Sequence, residues 1–231
     1  MTNLEYSSVA PESQQVSYTV DPEHGGIRFT VMLAFLVQLP LWYFVIDWLI
    51  SSDGLNILAI IGTILITYGL TQLLEKLLKQ RWKSGRLVQV DNEHIKIIRK
   101  NKIEEDIDGS QQVNVLTWRF EIRKNTRVPK GWYMIAIALE QEGRFLPVYT
   151  FISPDDFNNL LTKHAFTLLR KEKEWSSPQG DRDLRMAGEQ KRLHGAEKQR
   201  WFFGAEMTLD DFQHFWALLE ERFPRWMVKS T

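Results

Sequence analysis

No cysteine occurs among the 231 residues, which excludes disulfides, thiolate metal sites, a thiol nucleophile and palmitoylation. Net charge is missing too, because 29 Lys and Arg balance 29 Asp and Glu. That is too even for a general nucleic-acid binder, whose domain would be clearly basic. No Lys or Arg precedes Arg28, so the first 27 residues carry only Glu5, Glu12, Asp21 and Glu23, leaving 29 basic against 25 acidic residues downstream. There is no Asn-x-Ser/Thr sequon. The widest gap lies between Phe29 and Leu74, where Asp47 and Asp53 are the only charged residues.

What fills that gap is two apolar runs. Phe29–Ile50 holds 22 residues, about 33 Å as a helix, enough for a hydrocarbon core of about 30 Å. A polar, acidic leader precedes it and no small-x-small cleavage site follows, which argues against a signal peptide. Leu55–Leu74 is a second run of 20 residues. Only Ser51-Ser52-Asp53-Gly54 separates them, so the two spans form an antiparallel hairpin. A helical hairpin buried in a soluble protein would carry a polar stripe, and these runs carry none. Arg28 before the first span and Lys76, Lys79, Arg81, Lys83 and Arg86 after the second mark the cytoplasmic side, so both termini are expected there. Trp42, Tyr43, Trp48 and Trp82 suit the interfaces, and Pro40 is expected to kink the first helix. Ala59, Gly62, Ile66 and Gly69 form a small-residue stripe for packing within the hairpin or against another membrane protein.

From Arg86 the period changes from helical to alternating. Leu87–Val90, His94–Arg99, Ile103–Ile107, Val113–Arg123, Trp132–Gln141 and Arg144–Phe151 read as six strands joined by short turns, an antiparallel barrel or sandwich. Ser153 and Pro154 open a helix carrying Phe157, Leu160, Leu161, Ala165 and Leu168 at helical spacing. Residues 174–199 are polar and charged, a solvated linker or partly ordered helix. Arg200–Met207 then reads as a strand, and Thr208 caps a helix whose bulky stripe includes Phe212, Phe215, Trp216, Leu219 and Phe223. The shared pattern of a cap residue, any residue, Asp, Asp and Phe at Ser153 and Thr208 is explained by N-cap chemistry. Either helix, 154–170 or 208–223, can serve as the one that closes the sheets.

Two N-terminal spans, a basic juxtamembrane segment and the runs RLVQVDNEHIKIIRKNKIEEDI, VNVLTWRF and WYMIAIALEQEGRFLPVYTFISPDDFNNLL resemble the membrane-anchored bacterial PH-like domain proteins over about residues 28–170. The resemblance implies a PH-like barrel with a closing helix and a role in binding proteins or lipids. It implies no catalytic residue.

The residues offer little chemistry of their own. His24, His94, His164, His194 and His214 never approach metal-ligand spacing. Phosphate-loop, dinucleotide, zincin and nucleophile-elbow motifs do not occur. The carboxylate runs at 104–106, 155–156 and 210–211 have hairpin or capping explanations.

The expected architecture is therefore an α+β membrane protein. It has an acidic flexible segment (1–27), a transmembrane hairpin (28–83, with spans 29–50 and 55–74) and a PH-like domain (84–173). A charged linker (174–199) and a C-terminal strand and amphipathic helix (200–231) follow. Its expected place is the cell membrane and its expected function non-enzymatic, as scaffold, accessory subunit or assembly factor. A lipid-sensing module is the alternative and a membrane-bound hydrolase or transferase the third reading. Expected partners are the bilayer and another membrane protein or a second copy, without metal, cofactor or nucleic acid. Candidate headgroup contacts are Lys76, Lys79, Arg81, Lys83, Arg86, Arg123, Lys124 and Arg127. Phe212, Phe215, Trp216 and Leu219 are the candidate protein-docking face.

Overall fold

The computed structural model describes residues 15–21, 25–50, 56–161, 164–171 and 184–227. These fall into two compact units, one from Asp21 to Ser84 and one joining the residues up to Val20 with those from Gly85 onward.

The first unit is a pair of helices, α1 (Gly25–Ile50, 26 residues) and α2 (Ile57–Arg81, 25 residues). Each is about 38 Å long, enough to cross a hydrocarbon core of about 30 Å. Asn56 caps α2, its Oδ1 accepting from the Ala59 amide at 3.1 Å. Lys79 and Arg81 occupy the last turn, where cations suit the helix dipole. The helix therefore outlasts the apolar run by seven residues, about two turns, five of them polar or charged. The helices pack through Ala59, Thr63 and Thr67, all buried, and a Cβ at Gly62 would meet Ile46 Cδ1 at 3.3 Å. Ile66 and Gly69 do not belong to this contact, since Ile66 is exposed and nothing lies within 4 Å of a Cβ at Gly69. The expected stripe is thus divided. A four-residue step through threonines follows the packed face of α2 better than alternating small residues do.

This pair is inside-out by the standards of a soluble protein. Leu36, Phe44, Trp48, Leu49, Leu58 and Leu65 are exposed. Polar atoms of Gln38, Trp42, Asp47, Asn56, Thr63, Thr67 and Thr71 are instead withdrawn from the surface, without hydrogen-bond partners.

The second unit is built on two sheets. Sheet A runs β1 (Val16–Thr19), β2 (Arg86–Val90), β3 (His94–Arg99), β4 (Lys102–Asp108), antiparallel throughout. Sheet B has at its centre the meander β5 (Asn114–Glu121), β6 (Tyr133–Gln141), β7 (Arg144–Ile152). Two-residue strands β8 (Thr167–Leu168) and β9 (Ala205–Glu206) add in parallel at its edges. Lys100 and Asn101 turn β3 into β4, and Glu142 and Gly143 turn β6 into β7, all four with positive φ as tight hairpin turns demand.

Three helices complete the unit: α3 (Pro154–Leu161), α4 (Leu184–Phe203) and α5 (Leu209–Arg222). β6 shows how they are placed. Ile135, Ile137 and Leu139 point into the main core with Val88, Ile95 and Ile97 of sheet A, Phe157 and Leu160 of α3, and Phe212, Phe215 and Leu219 of α5. Met134, Ala136 and Ala138 point the other way, to Trp118 and to Leu193 and Ala196 of α4. The two alanines leave room for a helix to lie close on the outer face.

Several expectations change here. Segment 1–27, read as flexible, supplies β1. The helix from Pro154 stops at Leu161, because Phe166 turns into the core and Thr167 pairs with Trp118. The charged 174–199 stretch, expected to be a solvated linker, contains most of α4, which packs on sheet B as part of the domain. The strand expected over 200–207 is helix through Phe203, with only Ala205–Glu206 extended. α5 gives the core five buried side chains, so it is the main closing helix and α3 the lesser one. The capping expectation holds for both. Ser153 Oγ accepts from the Asp156 amide and Thr208 Oγ1 from the Asp211 amide, each at 3.2 Å.

Tyr18 of β1 bonds His214 Nδ1 of α5 at 3.2 Å and stands edge-on to Phe215. Burial, and next the charge of Asp211 with Arg222 opposing, pushes its phenol from the ordinary 10.0 up to about 12. The fold therefore holds the neutral phenol. That contribution is complete below pH 10 and lost as pH rises through about 12. In an alkaline titration followed by phenolate absorbance, Tyr18→Phe is expected to delete a step near pH 12 while leaving the steps of exposed tyrosines in place.

Candidate membrane interface

The connections to the apolar helices leave the domain at one end of sheet A. β1 pairs with β2 from Val16↔Val90 to Thr19↔Leu87, and the Val20 amide donates to the Arg86 carbonyl at 3.2 Å. The chain departs at Val20 and returns at Gly85 into the neighbouring strand. The helical pair thus occupies the place of a hairpin turn. The β3–β4 turn lies at the same end, since Arg86 pairs with Arg99 and the Lys100 amide donates to the Gly85 carbonyl at 2.9 Å. Arg99, Lys100, Asn101, Lys102 and Ile103 are all exposed there.

Arg86 brings α4 to this end. Its guanidinium is buried, donating from Nε to Glu104 Oε2 at 2.6 Å, from Nη1 to the Gly204 carbonyl at 2.9 Å and from Nη2 to the Phe203 carbonyl at 2.6 Å. It satisfies carbonyls that the end of α4 leaves open and places a cation at the negative pole of that helix. Glu104 also receives Arg99 Nε at 2.8 Å. Beside this cap, Trp201, Phe202 and Phe203 are 75%, 66% and 55% exposed. Together with Ile103 and Leu168 they are the large apolar side chains exposed on this unit among the described residues.

The end of α4 is anchored from sheet B as well. Arg200 is buried, pairs with Glu197 at 2.7 Å and lies over the Tyr149 ring at 4.7 Å, while Trp118 Nε1 donates to Glu197 at 2.9 Å. The Tyr149 hydroxyl donates to Glu206 of β9, and burial, followed by the charge of Glu206, pushes that phenol far up. Gly204 makes the exit from α4 possible. A Cβ there would overlap the Arg200 carbonyl oxygen and stand 2.9 Å from Arg200 Cγ and 3.0 Å from Tyr149 Cε1. Gly204→Ala is expected to destabilise the domain by about 1–3 kcal/mol, the usual range for forced overpacking. Chemical denaturation of the full chain in detergent checks this.

The expected headgroup contacts separate into two classes. Lys76, Arg81, Lys83, Arg123 and Lys124 are exposed, and Lys79 pairs with Glu75 at 2.7 Å on the surface of α2. Arg86 is corrected, because the fold buries its charge, whereas Arg127 is exposed and engaged with Glu206. Arg127 forms a two-pronged pair with Glu206 and lies over the Phe151 ring. It thereby ties the β5–β6 loop, with Arg123 and Lys124, to β9 two residues beyond Gly204. The expected docking face is corrected as well. Phe212, Phe215, Trp216 and Leu219 are buried at 6% exposure or less and form core, because an apolar stripe that bulky closes the sheets beneath it.

Comparison with protein-family models, curated proteins and solved structures finds no match. Among the described residues, no group of three or more His, Asp or Glu stands close enough to hold a metal. A polar groove between α3 and α5 is lined by Asp156, Asn159, His164, Gln213 and Glu220. Two of its carboxylates are engaged within the fold. Glu220 accepts from Trp216 Nε1 at 2.9 Å and faces His164 Nδ1 at 3.5 Å, and Asp156 accepts from Ser153 Oγ at 2.6 Å.

The aromatic triad at 201–203 was missed as a surface feature because the segment reads as a strand. The signal was present, since three large apolar residues in succession cannot all turn inward on one helix.

Proposed function

We propose that the chain is a non-enzymatic integral membrane protein. α1 and α2 cross the bilayer as a hairpin and hold a PH-like domain at the cytoplasmic face, as scaffold, accessory subunit or assembly factor of a membrane complex. The observation that carries this is the inside-out helical pair spliced between adjacent strands. Apolar side chains outside and polar ones within suit lipid as solvent and are costly in water. Splicing both ends into β1 and β2 requires an even number of crossings, in accord with basic residues at both ends and none in the intervening turn. It also argues against a cleaved leader, since β1 lies upstream of α1. The strands β2–β7 and closing helix α5 agree with the PH-like resemblance, to which α4 and the edge strands are additions.

Because the chain lacks cysteine, single substitutions report topology without background. Ser52→Cys is expected to react with an impermeant maleimide on intact cells, and Lys171→Cys only after lysis. The protein is expected to stay in the membrane pellet through an alkaline carbonate wash and to leave mild detergent with a second protein in stoichiometric amount. Release by carbonate would overturn the spanning helices. Recovery solely as a lone monomer would overturn the scaffold role.

A further inference from the structure

We infer that Trp201, Phe202 and Phe203 insert into the interface of the same bilayer that holds α1 and α2, with the surrounding cations drawn to anionic headgroups. The inference rests on the spanning reading and adds a third point of membrane contact to the two chain connections.

Chain length sets the distance. Trp82–Ser84 alone stand between α2 and Gly85, so the return connection reaches at most about 14 Å when fully extended. Arg86, the next residue, is hydrogen-bonded to the carbonyls of Phe203 and Gly204. The triad is therefore bound to the first residue pair of β2, at the end of the domain from which both connections leave.

The chemistry of the patch fits that location. Tryptophan and phenylalanine belong where an apolar body meets a wet rim, and Trp is enriched at membrane interfaces. Arg99, Lys100 and Lys102 are exposed at the β3–β4 turn, at the end of sheet A where Arg86 holds the Phe203 carbonyl, and Arg123 and Lys124 are exposed on the loop that Arg127 ties to β9. Glu104 engages Arg86 and Arg99 within the fold. An aromatic centre bordered by Lys and Arg is complementary to an anionic lipid surface. The anchorage of α4 by Arg86, Arg200 and Glu197 makes the protrusion rigid, so insertion requires little ordering of the protein.

The test uses the full chain in nanodiscs, labelled with a nitroxide at one introduced cysteine. Phe202→Cys is 66% exposed in the parent, so the variant is expected to fold. With phosphatidylglycerol present, its label is expected to collide at least threefold more with oxygen, relative to a water-soluble nickel reagent, than a label at Lys191→Cys earlier on α4. In pure phosphatidylcholine that contrast is expected to fall by half or more. Water accessibility equal to that of Lys191→Cys overturns the inference, and so does shielding from both reagents, which marks a protein cover. An unchanged contrast in phosphatidylcholine overturns the anionic preference. Leu36→Cys on α1 separates this failure from that of the spanning reading: a lipid-accessible label there leaves the helices in the bilayer whatever the triad does.

Discussion

Phe215→Ala is expected to cost about 3–5 kcal/mol, the range for deleting a buried aromatic ring. Phe215 is fully buried in α5, stands edge-on to Tyr18 of β1 and belongs to the core shared by both sheets. Its loss therefore weakens the closing helix and the strand that ties the chain upstream of α1 into sheet A. A residue that merely docked a partner would lose binding and leave the unfolding midpoint in place. The measurement is urea denaturation of the full chain in detergent, followed by tryptophan fluorescence. An unfolding midpoint equal to that of the parent would return α5 to the status of a docking face.

The second large effect is expected at Arg86. Arg86→Ala removes the donor to Glu104 and the two carbonyls at the end of α4, leaving a partly buried carboxylate with Arg99 as its remaining partner. Removing one member of such a buried set costs about 3–5 kcal/mol. The loss is expected to be local first. Limited proteolysis should cut near 199–204 before the core opens, while Glu104→Gln, which keeps the carbonyl contacts, should be cut more slowly. Identical cleavage patterns for the two variants would show that Arg86 acts through Glu104 alone. The same reasoning explains why Arg86 was a poor choice as a headgroup contact: sequence reveals a cation but not the acceptor awaiting it, here Glu104.

Much of the architecture was legible because it rests on local periodicity. The apolar runs became α1 and α2, the alternating segments became β2 to β7, and both Asp-Asp-Phe openings became capped helices. The features that escaped depend on distant partners. β1 is four residues, VSYT, and finds its mate near position 90. α4 presents a mixed face in which Gln190 and Arg200 are buried along with Leu193. Gln190 exchanges hydrogen bonds with Leu168 and Arg170 beside β8, and Arg200 is neutralised by Glu197. A helix whose buried face includes amide and guanidinium groups shows no apolar stripe, and so it reads as solvated. The bilayer-facing candidate followed the same course. Its exposed lysines and arginines were visible as charge, whereas the aromatic triad depended on where α4 ends.

The splice between β1 and β2 has a bearing on biosynthesis. On the proposed spanning reading, the first strand leaves the ribosome before either helix, and its neighbour follows only after both. If one helix failed to insert, the two strands would be stranded in different compartments and sheet A would lack its edge. Correct threading and a finished domain thus become a single outcome. A copy with a single inserted helix would present an unfinished, protease-sensitive domain rather than a stable one.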